Sequence, residues 1–92
     1  VRNVCMVGIG EKAARNALSK VLDSESLDKP CRELSGGMKR RVAIVRALIY
    51  PSDIVLMDEP YTGMDDETIR RVKAYIDEAI EGRTMIVATH IL

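Results

Sequence analysis

Ile54-Val55-Leu56-Met57-Asp58-Glu59-Pro60 is the stretch that decides how this chain folds. An apolar run this short, closed by two carboxylates and a proline, fits a strand over Asp53 to Asp58, buried on both faces as in a parallel sheet. Glu59 to Met64, with Pro60 and Gly63, reads as a turn. Asp65 to Glu81 then reads as an amphipathic helix with Ile69, Val72, Ile76, Ala79 and Ile80 on one face. Asp65, Asp66 and Glu67 crowd its first turn, where the helix dipole favours anions. Asp66 with Arg70 and Glu67 with Arg71 are favourably spaced pairs, and Gly82 supplies a stop. Thr84 to Thr89 is a second buried strand, with His90 just past its carboxyl end. Strand, helix and strand within about 40 residues make a βαβ unit, a parallel pair joined by a right-handed crossover.

Working upstream, Ser35 has the character of a helix N-cap, followed by Gly36-Gly37 and a helix to about Tyr50, which Pro51 ends. Met38, Val42, Val45 and Ile49 form its apolar stripe, broadened by Ile44 and Leu48. The basic run Lys39-Arg40-Arg41 lies off that stripe and reads as a solvated face. Ser24 to Leu34, with Pro30, is a connector. Glu11 to Leu22 is a short helix on the spacing of Ala13, Ala14, Ala17, Leu18, Val21 and Leu22. Residues 1–10 give an ambiguous apolar signal with two glycines.

Hydrophobic residues make up 47% and charged residues 30% of the 92, a globular balance. With three Tyr and no Trp or Phe, the core must rest on aliphatic side chains. Zero net charge argues against a nucleic-acid binder that works through its overall field. Cys5 and Cys31 read as reduced, unpaired thiols, and with one His they are too few for a zinc site. No apolar run approaches the roughly 20 residues that cross a bilayer. The chain starts at Val1 and stops after an apolar run, so it is read as a fragment.

Three groups carry chemistry. Two glycines after a Ser cap let backbone N–H groups approach an anion at a helix N-terminus, and the Ser hydroxyl adds a donor. Taken alone, Ser-Gly-Gly is more often an ordinary capped helix. Asp58 and Glu59 end a buried strand with adjacent carboxylates, an arrangement suited to Mg²⁺ on Asp58, mostly through water, and to an attacking water at Glu59. Open α/β sheets gather ligands at the carboxyl ends of their strands, which brings His90 toward the same edge.

In combination these groups resemble the nucleotide-binding domain of ATP-binding-cassette (ABC) proteins. Leu34-Ser35-Gly36-Gly37 is similar to the signature motif, Ile54 to Glu59 to Walker B with the catalytic glutamate, Gly63-Met64-Asp65 to the D-loop, and His90 to the switch histidine. The resemblance spans residues 32–91 and implies a P-loop NTPase-like α/β fragment. Residues 1–34 would be the end of a helical subdomain and its connector, and 35–92 part of the ATPase core. It further implies ATP and Mg²⁺ as cofactors and a head-to-tail dimer. Ser35, Gly36 and Gly37 would contact the γ-phosphate of ATP held by the second ATPase subunit. Asp58 would hold Mg²⁺, Glu59 and His90 would be catalytic at the ATP of their own subunit, and Asp65 would link the two sites.

Departures from the family pattern are Met38 for glutamine, Met64 for leucine and Asp66 for proline. No G-x-x-x-x-G-K-[S/T] occurs, and Gly8-Ile9-Gly10-Glu11-Lys12 reads only as a turn. The chain alone is therefore expected to bind ATP weakly and not to turn it over. The resemblance implies a transporter ATPase, of importer type, on the inner face of the cell membrane. Its partners would be transmembrane permease subunits and a substrate-binding protein, without nucleic acid. An ABC ATPase of DNA repair or chromosome maintenance is the alternative, together with an inactive fragment that only self-associates.

Overall fold

A computed structural model describes residues 10–88, apart from the side chain of Cys31. Thr89 and His90, like residues 1–9, lie outside that span. The elements run α1 (Glu11–Leu18), two single 3₁₀ turns (Ser24–Ser26 and Cys31–Glu33), α2 (Gly36–Ile49), β1 (Ile54–Asp58), α3 (Asp66–Ala79) and β2 (Thr84–Ala88). β1 and β2 pair in parallel, with Ile54 opposite Thr84 and Asp58 opposite Ala88. One further bond at each end extends the ladder: Thr84 N–H to the Asp53 carbonyl and Glu59 N–H to the Ala88 carbonyl, each at 2.9 Å. The expected βαβ unit is therefore present, and the chain is a P-loop NTPase-like α/β fragment.

A single hydrophobic cluster joins the helices to the sheet. Val45 and Leu48 of α2 and Val72 of α3 are fully buried, and Val55 and Met57 of β1 face them. Val21 and Leu22 are buried too, although α1 ends at Leu18, earlier than periodicity indicates. Two competitors explain the early end. The Ser19 hydroxyl donates to the Asn16 carbonyl at 2.7 Å, and Arg41 Nη1 takes the Val21 carbonyl at 2.8 Å. The chain tightens into i→i+3 bonds at Lys20 and Val21, so apolar positions beyond the helix still reach the core.

The strands are not buried on both faces. Val55 and Met57 are covered, but Ile54 and Leu56 are 60% and 71% exposed. Ile86 and Val87 of β2 are also exposed. β1 buries alternate residues against the helices, whereas Ile86 and Val87 are adjacent and so on opposite faces, and β2 is covered on neither face at these positions. Nor do the expected i,i+4 ion pairs of α3 close; Arg71 lies 3.7 Å from Asp23 instead. Tyr75, given no role by periodicity, is buried in the α3 face beside Val72 and Ile76.

Arg83 closes the far end of α2. Its guanidinium donates to the carbonyls of Leu48 at 2.6 Å and Tyr50 at 3.1 Å, acceptors that a helix leaves unsatisfied at its C-terminus.

Candidate functional site

The start of α2 has the cap that Ser35 predicts. Ser35 is extended, and its Oγ accepts the Met38 N–H at 3.2 Å. A hydroxyl that accepts in this way keeps its own proton to donate. Ser35 and Gly36 are exposed and Gly37 is half-buried. A Cβ on Gly36 would meet nothing within 4 Å, whereas one on Gly37 would lie 3.1 Å from the Gly63 carbonyl oxygen. Gly37 is thus required for close approach to the β1–α3 loop, and Gly36 leaves open space above the helix start. No acid occupies the first turn of α2, so no carboxylate of the helix itself offsets its partial positive charge.

At the other side of that approach, β1 ends in exposed Asp58, opposite Ala88. Glu59 follows with φ 49, the single non-glycine residue in the left-handed region among those described. Its carboxylate accepts the Thr62 hydroxyl at 3.3 Å, and its carbonyl accepts the Thr62 N–H at 3.3 Å. Gly63 takes φ 79, where a side chain would be strained. The turn from Glu59 to Met64 is therefore tight, bonded within itself and pressed against the start of α2.

Asp65 caps α3, its Oδ1 accepting the Thr68 N–H at 2.8 Å. Bonds from the Thr68 side chain and backbone, with the field of Arg41, hold its carboxyl below the usual range. Two capped helix starts and a carboxylate-tipped strand thus meet through one short loop.

Sequence reading missed what the basic run does. Lys39 is exposed, but Arg40 and Arg41 are half-buried and turned inward. Arg40 Nη1 donates to the carbonyls of Glu59 at 2.8 Å and Asp58 at 3.3 Å. Arg41 bonds Gly37 and Val21 through their carbonyls. The earlier signal was only their position: one turn past the cap, on the flank of the apolar stripe. Tyr61 stands on the same loop as Glu59. Burial and the charge of Asp77 raise its hydroxyl pKa, and Lys73 sits over its ring at 5.5 Å.

Among the described residues no cluster of three or more His, Cys, Asp or Glu could cage a metal. Asp58 alone at the strand end fits a different demand. Mg²⁺ is commonly held by one or two carboxylates together with water and phosphate oxygens, and the exposed Asp58 carboxylate forms no ion pair among the described residues. No described helix is long and apolar enough to cross a membrane.

A parallel βαβ unit with carboxylates at its strand end and a glycine-rich helix start beside them places the chain in the P-loop NTPase-like class. Comparison narrows the class. The family model described as ABC transporter matches residues 6–62. The histidine transport ATP-binding protein HisP of Pseudomonas aeruginosa is 44% identical over 80 residues, covering 84% of this chain and 31% of the relative. The glutamine transport ATP-binding protein GlnQ of Escherichia coli is 44% identical over 81 residues, covering 87% of this chain and 34% of the relative. An uncharacterized ABC transporter ATP-binding protein of Bacillus subtilis, YfmR, is 44% identical over 77 residues, 84% of this chain and 12% of the relative. The chain belongs to the ABC transporter family, as part of a nucleotide-binding domain. It spans a third or less of the length of most of these relatives.

Proposed function

We propose that the chain is the signature-to-switch part of an ATP-hydrolysing subunit that powers a membrane transporter of importer type. The observation that carries this reading is the joint position of two features. An open, acid-free Ser-Gly-Gly helix start and a carboxylate-tipped strand flank one tight loop. Relatives named for histidine and glutamine transport support the importer reading. Residues 1–34 would close the helical subdomain, and 35–92 would belong to the ATPase core.

In this proposal two subunits pair head to tail around ATP. Ser35, Gly36 and Gly37 present their N–H groups and hydroxyl to the γ-phosphate held by the second subunit. Asp58 and Glu59 act on the ATP of their own subunit. Asp58 would hold Mg²⁺, which supplies charge neutralisation on the phosphate oxygens. Glu59 orients the attacking water and accepts its proton. His90 would contact the γ-phosphate, and Asp65 would bridge the two ATP sites. Transmembrane permease subunits and a substrate-binding protein complete the assembly at the inner face of the membrane. This chain alone would be inactive.

Glu59→Gln in the complete subunit tests the reading. Turnover is expected to fall by about 10²-fold or more, the range of general-base losses, with ATP affinity retained. Unchanged turnover would remove Glu59 from its role.

A further inference from the structure

Arg40 lies one turn into α2, away from the helix start assigned to phosphate and away from the apolar stripe. Its Nη1 reaches both the Glu59 carbonyl at 2.8 Å and the Asp58 carbonyl at 3.3 Å. Successive carbonyls of an extended strand point in opposite directions, so one nitrogen cannot meet both. Here it does, because Glu59 leaves the strand with φ 49. That conformation is disfavoured for a residue with a long side chain and persists only where surrounding groups fix it.

Several bonds fix it here. Glu59 N–H is held by the Ala88 carbonyl at 2.9 Å, and the guanidinium gathers the two carbonyls on either side. The far end of the loop is fixed from the same helix, where Gly37 packs under the Gly63 carbonyl. α2 thus grips the loop from residue 58 to residue 63 at both ends. Among the described residues Arg40 pairs with no carboxylate, so its charge is met by these backbone oxygens.

We infer that Arg40 is a positioning residue for Glu59: by bridging the carbonyls of Asp58 and Glu59 it holds the left-handed turn that aims the Glu59 carboxylate. The inference rests on the reading of Glu59 as the hydrolytic carboxylate and extends it to a residue on the signature helix. Because Arg40 and the Ser35-Gly36-Gly37 start share one rigid helix, movement of that start against a phosphate would be passed to the backbone of Glu59.

The test uses the complete ATPase subunit that carries this sequence. Arg40→Ala is expected to lower kcat by about tenfold to a hundredfold, the loss typical of a displaced catalytic group. KM for ATP and nucleotide affinity should stay within about twofold, since the Arg40 guanidinium is taken up by the Asp58 and Glu59 carbonyls. Arg40→Lys should recover part of the loss, because an ammonium can still donate to one carbonyl. In a Glu59→Gln background, Arg40→Ala should cost little more, as expected for residues acting as a unit. An unchanged kcat in Arg40→Ala, or an equal loss in both backgrounds, overturns the inference while leaving the ATPase reading intact. A wild-type subunit without ATPase overturns that reading instead. A crystal structure of Arg40→Ala then decides the clamp by itself: Glu59 leaving the left-handed region supports it, and an unmoved φ refutes it.

Discussion

α2 and α3 begin alike and are used differently. Each opens on a side-chain cap that accepts the N–H three residues on, Ser35 for Met38 and Asp65 for Thr68. Past the cap they diverge. α3 carries Asp66 and Glu67 in its first turn, so its positive end is neutralised by its own sequence. α2 carries two glycines and no acid, and Gly36 has open space above it. The start of α3 is satisfied by its own sequence. The other is left unneutralised, which stability does not explain and an external anion would.

The largest expected effect follows from reversing that difference. Gly36→Asp makes the start of α2 resemble that of α3. Replacing Gly and adding an acid to the first turn should stabilise the fold by about 0.5–1 kcal/mol, because no atom opposes the new side chain. The same charge would repel a triphosphate, and turnover of the complete subunit should fall by about 10²-fold or more. Thermal unfolding and ATPase assays should thus move in opposite directions. A loss of both, or of neither, breaks the comparison.

The paired alanine variants sharpen it. Gly36→Ala should gain up to about 1 kcal/mol from helix propensity. Gly37→Ala should be at least about 1 kcal/mol less stable than Gly36→Ala, since its Cβ would press on the Gly63 carbonyl at 3.1 Å. That carbonyl belongs to a turn with φ 79 at Gly63 and has little freedom to retreat. Denaturant midpoints of the two variants check the order.

The smallest effect is on the acid limb at α3. Asp65 has its pKa lowered from 3.8 by the bonds to Thr68. Its contribution is complete above that ordinary value and disappears as pH falls through the lowered one. Asp65→Asn keeps a capping oxygen without titrating. The variant should therefore lose less stability than the wild type as pH drops below 3.8. Parallel acid unfolding curves would assign the acid sensitivity to another group.

The start of α2 was legible in the sequence because a cap is a local device and Ser35 needs only the residue three positions on, whereas Asp65, read as part of the first turn of α3, is its cap instead. The parallel pairing of β1 with β2 was legible too, since apolar runs joined by one helix leave few topologies. The burial of the strands was not. An apolar run reports that both faces of β1 suit a core, but not which neighbours are present, and Leu56 is 71% exposed here. Arg40 escaped for another reason. A basic residue beside an apolar stripe looks the same whether it meets water or turns toward a carbonyl 19 residues away. What distinguishes the two is the left-handed turn at Glu59, and Glu-Pro in a sequence carries no sign of it. The length of α1 failed on a similar long-range bond, from Arg41 to Val21.

A mixing experiment tests the central claim most directly, that the α2 start and the Glu59 edge of one chain serve different ATP molecules. Complete subunits carrying Gly36→Asp and complete subunits carrying Glu59→Gln are each expected to be nearly inactive. In a head-to-tail pair of the two, one site holds both defects and the other holds none. Random pairing should then restore about a quarter of wild-type turnover, the statistical share of intact sites in a two-fold dimer. A mixture no more active than its parts would contradict the account and place both groups at the same ATP.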